Sequence, residues 1–345
     1  MFNAEEIRKE MAEQKDRYAG GKFDSYFKYY SDGEALKSIF VDQKIRFTQP
    51  RVLNDPLEFN PTMRFNQPDT SYQYYDLNGL LFPSIEFFFR VQIIESQINA
   101  YGILSLTKIP NSFDMWSHYA NGHKGFVLEF KEDFWHFPCM KSEKGDERSF
   151  GEVEYVEDYA INLDDLVDSK NEIPVDVLHR ELFFKKTSRW SHEREYRLIR
   201  PLTDSTDYKP PESRYMYTDI NVYLFPFEWE CISSVILGAA MTTANKKVIV
   251  ECCEKHNIPI FQACIIRDQK DWFEKPASIY LLSLDQYESK SRASNIKPQV
   301  LCTDTIKLGS EKIVKIAKIT DLPYYRDYEE IVEELHRNLK KGGDA

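Results

Sequence analysis

The chain has 345 residues, of which 42% are hydrophobic and 14% aromatic, and its formal net charge is −11. This apolar content excludes an intrinsically disordered chain, and no run approaches the roughly 20 apolar residues that a membrane-spanning helix needs. The acidic balance argues against non-specific nucleic-acid binding, because proteins that coat nucleic acid usually carry a basic excess.

Residues 1–21 predict a charged helical extension that ends at Gly20-Gly21. They mix both signs of charge and contain no apolar stretch, so they do not have the pattern of a signal peptide. The six cysteines form no CxxC pair, and buried free thiols suit a reducing compartment. We therefore predict a cytoplasmic protein without a membrane segment.

Hydrophobic periodicity predicts the core elements in chain order. The first half contains a strand at 26–30, a helix capped by Ser31 or Asp32 that buries Leu36, Ile39 and Phe40, and a strand at 44–48. Residues 66–82 are polar and tyrosine-rich and predict a surface loop. A helix at 85–98, a strand at 101–107, a helix at 113–119 capped by Asn111 or Ser112, and a strand at 125–130 follow.

The second half predicts a strand at 151–156, a helix at 175–186, strands at 195–200 and 234–237, a helix at 243–256 and a strand at 260–266. This order has no regular βαβ alternation and no internal repeat. It is typical of an α+β fold with a mixed, mainly antiparallel sheet and flanking helices. We place a core domain at 22–270 and a C-terminal extension with a terminal helix at 271–345.

Glu193 and Glu195 belong to the densest group of chemical candidates, the segment from Arg189 to Arg197. Residues two apart on an extended strand point to the same face. Two neighbouring carboxylates repel each other, which raises one pKa and suits acid–base or cation-stabilising chemistry. The alternative is a charged edge strand with solvated arginines, and the sequence leaves both interpretations equally open.

The predicted helix at 113–119 places Trp116 and Tyr119 three residues apart, with His118 between them. Such an aromatic face can stack on a planar ligand ring. The alternative, favoured for Trp116, is a core anchor.

Two weaker candidates are the turn residues Asn54 and Asp55 and the alternate strand hydroxyls of Ser105 and Thr107. Alternate hydroxyls can hold a neighbouring carboxylate. The histidines lack the spacing of metal ligands, and no phosphate-binding glycine loop or GxSxG elbow is present. We predict no metal site.

Short motifs follow one another in a recognisable order. They are Phe27-Lys28-Tyr29-Tyr30-Ser31, Ile45-Arg46-Phe47, Leu53-Asn54-Asp55-Pro56-Leu57-Glu58, Leu104-Ser105-Leu106-Thr107, Met115-Trp116-Ser117-His118-Tyr119-Ala120, Gly122-His123-Lys124-Gly125-Phe126, Lys185-Lys186 with Trp190, Glu193, Glu195, Tyr196 and Arg197, and Val235-Ile236-Leu237-Gly238. In this order they resemble a widespread bacterial family known as domain of unknown function 2971. The resemblance covers about residues 22–270.

The opening of the chain is also similar to that of ADP-ribosyltransferase-type folds, which have a split sheet. In those enzymes three strands contribute a His or Arg, a Ser/Thr or Tyr element, and a Glu. The resemblance implies that Lys28 and Tyr29 take the first place, Ser105 and Thr107 the second, and Glu195, supported by Glu193, the third.

This resemblance implies NAD as a substrate that is bound like a cofactor. A carboxylate beside the ribose stabilises an oxocarbenium-like transition state. It further implies that Lys28 pairs with a phosphate and that Tyr29 or Trp116 stacks on a ring. The implied cofactor-binding set is Lys28, Tyr29, Asn54, Asp55, Trp116, His118 and Tyr119.

Three hypotheses follow, of which the first is favoured. The first is an ADP-ribosyltransferase or NAD glycohydrolase that modifies a macromolecular acceptor, protein or nucleic acid, as a toxin or phage-defence effector. The second is a nuclease or RNA phosphotransferase that uses Asp55, Glu193, Glu195 and Lys28. The third is a non-catalytic protein-interaction module with an aromatic binding surface.

Overall fold

The computed structural model describes residues 9, 25–55, 58–59, 61–64, 75–77, 80–82, 85–141, 149–162, 165–166, 168, 173–205, 222–267, 278–285, 287–288, 300–302, 306–308 and 312–314. The predicted N-terminal extension, apart from Lys9, and the predicted terminal helix lie outside the described residues.

The α-helices are distributed irregularly among the strands along the chain. The described α-helices are Glu34–Phe40 (α1), Ile85–Ala100 (α2), Phe113–Tyr119 (α3), Val175–Phe183 (α4) and Thr243–His256 (α5). Short 3-10 helices cover Pro50–Val52, Phe134–His136, Ser188–Glu193, Leu202–Asp204 and Trp229–Cys231.

The strands are short, and most of the longer ones belong to one sheet. The described strands are Tyr26–Tyr30 (β1), Lys44–Phe47 (β2), Thr62–Arg64 (β3), Tyr75–Leu77 (β4), Leu80–Phe82 (β5), Tyr101–Thr107 (β6), Phe126–Phe130 (β7), Phe150–Glu152 (β8), Glu154–Val156 (β9), Ala160–Asn162 (β10), Lys185–Thr187 (β11), Glu195–Pro201 (β12), Tyr223–Pro226 (β13), Ile232–Leu237 (β14), Ile260–Arg267 (β15), Ser278–Ser283 (β16), Val300–Cys302 (β17), Ile306–Leu308 (β18) and Lys312–Val314 (β19).

A large mixed sheet organises the fold. Its strand order is β16-β15-β14-β7-β1-β6-β12-β8, and β17 also pairs with β15. The β14–β15 and β15–β17 ladders are parallel, and the other ladders of this sheet are antiparallel. The prediction of an α+β fold with a mixed, mainly antiparallel sheet and flanking helices is confirmed.

Each face of the sheet carries its own hydrophobic core, because alternate residues of a strand point to opposite faces. On one face, α1, β2, β13 and α5 pack over a cluster that includes Phe126, Phe130 and Trp229. On the other face, Trp116 of α3 packs with Val127 and other apolar residues. The helix α3 is thereby held against β1.

The sheet splits between β1 and β6. Strand β1 pairs with β7 at five positions, from Tyr26↔Phe130 to Tyr30↔Phe126. Its ladder with β6 consists of the single pair Phe27↔Thr107. No further pair joins the two strands, and residues of both line an opening in the middle of the sheet.

Three local predictions differ from the structure. The predicted loop at 66–82 contains β4 and β5, which form a hairpin. The predicted helix at 175–186 ends at Phe183, because residues 185–187 pair in parallel with β9 instead. Helix α1 has Gly33 at its N-cap without a side-chain cap, whereas Ser112 caps α3 as predicted by accepting from the backbone N–H of Met115.

Candidate functional site

The opening between β1 and β6 forms a cleft of about 250 Å³. Residues from these two strands, from β2 and the segment that follows it, from α3, and from β12 and the segment before it line the cleft together. The lining residues are Phe27, Lys28, Tyr29, Arg46, Thr48, Val52, Leu53, Asn54, Asp55, Glu58, Ser105, Leu106, Met115, Tyr119, Lys186, Trp190, Glu193 and Glu195.

Most of the residues predicted from the sequence meet in this cleft. It brings together Lys28, Tyr29, Asn54, Asp55, Ser105, Tyr119, Glu193 and Glu195. Residues that are far apart in the chain thus surround one hollow.

Three of the predicted residues do not line the cleft. Trp116 is fully buried in the core, where its indole N–H donates to the carbonyl of Pro110 over 2.9 Å, so it is an anchor of α3. His118 is exposed. Thr107 is buried at the closed end of the split, and its hydroxyl donates to the backbone carbonyl of Glu193 over 2.6 Å, so it positions the loop before β12.

A buried network of charges forms one wall. The Lys186 ammonium lies 2.8 Å from Glu193 Oε2, 3.0 Å from Glu195 Oε2 and 3.7 Å from Glu58 Oε2. The three carboxylates and the lysine side chain are each less than a tenth exposed. Charges this deep need partners, because desolvation otherwise costs several kcal/mol per ion.

Arg197 supports this network from behind. Its Nε donates to Glu195 Oε1 over 2.8 Å, one Nη contacts Glu58 Oε1, and the other donates to the carbonyl of Phe183 over 2.7 Å. Burial lowers the pKa of Arg197 to about 9, which leaves it protonated at neutral pH. Although burial opposes it, the carboxylates of Glu195 and Glu193 raise the pKa of Lys186 above its ordinary value.

Glu193 and Glu195 contact the same lysine, but the backbone between them has a conformation that the sequence did not predict. Glu193 ends the 3-10 helix rather than standing on β12, and Arg194 between the two has a left-handed backbone with φ +45°. Such a conformation is unfavourable for a residue with a side chain and is found mainly where the surroundings impose it. The predicted strand from Glu195 is present as β12, but the extended backbone that was expected between Glu193 and Glu195 is not, although both residues line the cleft.

The two carboxylates differ in their remaining hydrogen-bonding capacity. Both oxygens of Glu195 accept from Arg197, and the carboxylate also accepts from Lys186 and Ser105. Glu193 accepts from Tyr119 through Oε1 and from Lys186 through Oε2. Since each carboxylate oxygen has two acceptor positions, Glu193 retains one position on each oxygen within the described part of the chain.

Burial shifts the pKa values of Glu195 and Tyr119, which both contact this network. It raises the pKa of Glu195, against the opposing effect of Lys186. It also raises the pKa of Tyr119, and the hydrogen bond to Glu193 adds to this effect. Tyr119 is therefore a neutral donor to the Glu193 carboxylate.

An aromatic side chain lies beside this charged wall. The indole N–H of Trp190 donates to Asp55 Oδ2 over 2.8 Å, and the Lys186 ammonium lies 5.0 Å from the centre of the Trp190 ring. Trp190 is partly exposed, whereas Trp116 is buried. The aromatic surface available to a ligand is thus that of Trp190, which the sequence analysis did not assign as a contact.

Lys28 and Arg46 bring two further cations into the lining of the cleft. Burial lowers the pKa of Lys28 to about 8, an effect that Glu195 opposes and Arg46 reinforces. Burial also lowers the pKa of Arg46. Sequence reasoning missed Arg46, Lys186 and Arg197 as site residues, although all three fall within motifs of the family resemblance.

The described residues contain no group of three or more His, Cys, Asp and Glu side chains arranged to hold a metal ion. Among the helices of the described part, none is long and apolar enough to cross a membrane.

Comparison with known proteins supports the family resemblance. Residues 115–198 match the model of the family described as Protein of unknown function (DUF2971). The resemblance to DUF2971 is confirmed. The matched segment runs from α3 to β12 and includes Tyr119, Lys186, Glu193 and Glu195 of the cleft. No curated protein and no solved structure matches the chain.

Several motifs of the DUF2971 resemblance have a structural role. The backbone N–H of Gly238 donates to the carbonyl of Gly125 over 2.9 Å, and that of Ala240 donates to the carbonyl of His123 over 2.9 Å. These contacts join the loop after α3 to the end of β14. They hold α3, and with it Tyr119, beside the cleft.

Proposed function

We propose that this protein binds NAD in the cleft, breaks the bond between nicotinamide and ribose, and transfers ADP-ribose to a macromolecular acceptor, protein or nucleic acid, or to water. The observation that carries the proposal is the assembly of Glu193, Glu195, Ser105 and Lys28 around one hollow in a split sheet.

The reaction requires stabilisation of a cation. As the bond from ribose C1′ to nicotinamide breaks, its electron pair leaves with the nicotinamide, and an oxocarbenium-like centre develops, as in glycoside cleavage. The acceptor nucleophile then bonds to C1′ and loses its proton. A preorganised carboxylate beside C1′ lowers this barrier, because it is poorly solvated and already oriented.

The remaining hydrogen-bonding capacity suggests how the two glutamates divide this task. Glu193 has open acceptor positions for the ribose hydroxyls or the cation, whereas Glu195 is held by Lys186, Arg197 and Ser105. In this proposal Glu193 contacts the ribose. Glu195 adds negative charge and keeps Lys186 in place.

The test is release of nicotinamide from NAD in the presence of bacterial cell extract. We expect Glu193→Gln and Glu195→Gln to lower the rate by about 100-fold or more, because each removes a charge directed at the transition state. Glu251→Gln, on a glutamate of α5 whose side chain is 64% exposed, is the matched control and should retain the rate of the unmodified chain. Thermal unfolding of each variant separates loss of activity from loss of fold.

Equal rates in the unmodified chain and in folded Glu193→Gln and Glu195→Gln would contradict the proposal, as would no release by any of them. Activity on phosphorylated RNA that EDTA abolishes and that needs no NAD would favour the nuclease or phosphotransferase. Full biological function of Glu195→Gln would favour the interaction module.

A further inference from the structure

Among the described residues, neither Lys28 nor Arg46 forms an ion pair. The Lys28 ammonium makes no hydrogen bond or ion pair with the described residues, and its Nζ lies 5.9 Å from the centre of the Tyr30 ring. The Arg46 side chain makes none either, and its Nε is buried without a hydrogen-bond partner among them. Both residues line the cleft.

The carboxylates of the cleft are already engaged by other groups. Glu58 contacts Arg197, Glu193 and Glu195 contact Lys186, and Asp55 accepts from the Trp190 indole. The negative charge of Glu195 opposes the lowering of the Lys28 pKa, although the two side chains form no ion pair in the described structure. The acidic wall therefore sets three carboxylates, those of Glu58, Glu193 and Glu195, against the cations of Lys186 and Arg197, whereas Lys28 and Arg46 form no ion pair with the described residues.

Two half-buried cations that repel each other destabilise the fold unless something offsets them. Burial disfavours the charged form of both groups, and within the described part of the chain neither makes the hydrogen bonds that normally compensate for lost hydration. An anion between them supplies the missing charge and acceptors. Guanidinium groups suit phosphate oxygens because their N–H donors match the anion in pairs, and an ammonium adds a point charge.

We propose that Lys28 and Arg46 together bind a phosphate or diphosphate group of the ligand. The identification of this group as the diphosphate of NAD rests on the proposed function. The complementarity between these two cations and an anion does not rest on the proposed function, because a phosphorylated ligand other than NAD carries the same anionic group. The family resemblance implied a phosphate contact by Lys28 alone. Arg46 makes this a site with two cations.

The test is calorimetric titration with inorganic pyrophosphate and with ADP-ribose at constant ionic strength. We expect Lys28→Gln and Arg46→Gln each to weaken both affinities by about tenfold or more, the usual effect of removing a charged hydrogen-bond donor. Arg46→Lys should bind more tightly than Arg46→Gln. Lys247→Gln, on a lysine whose side chain is 77% exposed, is the control and should bind like the unmodified chain.

Nicotinamide riboside lacks the diphosphate, so its affinity should not depend on Arg46. Because the Arg46 side chain makes no hydrogen bond within the described structure and is repelled by Lys28, we expect Arg46→Gln to fold and to melt at or above the temperature of the unmodified chain.

The outcomes separate this proposal from the previous one. Pyrophosphate binding that requires Lys28 and Arg46, without any nicotinamide release, supports the anion site and contradicts the NAD reaction. Nicotinamide release with an unchanged KM for NAD in Arg46→Gln supports the reaction and overturns the anion site. Absence of binding of both pyrophosphate and ADP-ribose to the unmodified chain also overturns it.

Discussion

Arg197 is the residue on which the acidic wall of the cleft depends. Its side chain has no exposed surface, and it bonds to two glutamates and to a backbone carbonyl. Its guanidinium also lies 5.4 Å from the centre of the Phe59 ring. An arginine suits this position because one rigid fork reaches several acceptors at once.

Replacing Arg197 with Met should lower the free energy of unfolding by about 3–5 kcal/mol, because Glu58 and Glu195 would remain buried without their shared partner. Urea unfolding followed by circular dichroism measures this change. Arg189→Met, on an exposed arginine of the same segment, should change stability by less than about 0.5 kcal/mol. Equal stability of the two variants would show that the network does not stabilise the fold.

At the scale of elements, the position of α3 depends on two close backbone contacts. A Cβ atom on Gly125 would lie 1.9 Å from the carbonyl oxygen of Tyr30, and one on Gly238 would lie 2.2 Å from that of His123. Both contacts involve backbone atoms, which do not move aside as a flexible side chain does. The glycines therefore let β1, β14 and the loop after α3 pack together.

Gly238→Ala should destabilise the protein by about 1–3 kcal/mol, the usual cost of adding an atom where none fits. Gly33→Ala is the matched control, because a Cβ at Gly33 meets nothing within 4 Å. Thermal unfolding compares the two. A melting temperature of Gly238→Ala equal to that of Gly33→Ala would contradict this account of the loop.

At the scale of the whole molecule, the central sheet continues past residue 270, where the core domain was predicted to end. Strand β16 pairs with β15 at six positions. Its residues Ile279 to Leu282 are 5% exposed or less. The strand thus covers an edge that would otherwise expose unpaired backbone groups.

A chain that ends at residue 270 should melt at a lower temperature and aggregate more than a chain that ends at residue 290. The shorter chain loses the apolar residues of β16 and leaves β15 uncovered on that side. Light scattering during thermal unfolding detects both effects. Equal melting temperatures and equal scattering would show that β16 adds nothing to the stability of the sheet.

Elements whose signals are local were predicted with the same bounds as in the structure. The strand at 101–107 and the helices at 113–119 and 243–256 are examples. Their hydrophobic periods and caps lie within a few residues of one another. The break at Phe183 was missed because it depends on pairing of residues 185–187 with β9, a strand about 30 residues away in the chain.

The sequence by itself determined the fold class and named eight of the residues that line the cleft, because the order and spacing of its motifs carry that information. Only the tertiary structure decided which side chains face the cleft. Trp116 is buried and Trp190 is available, and Arg197 meets Glu58 across 139 positions of the chain. Burial and charge pairing depend on where strands diverge and helices pack, and these contacts form between segments whose separation leaves no local pattern.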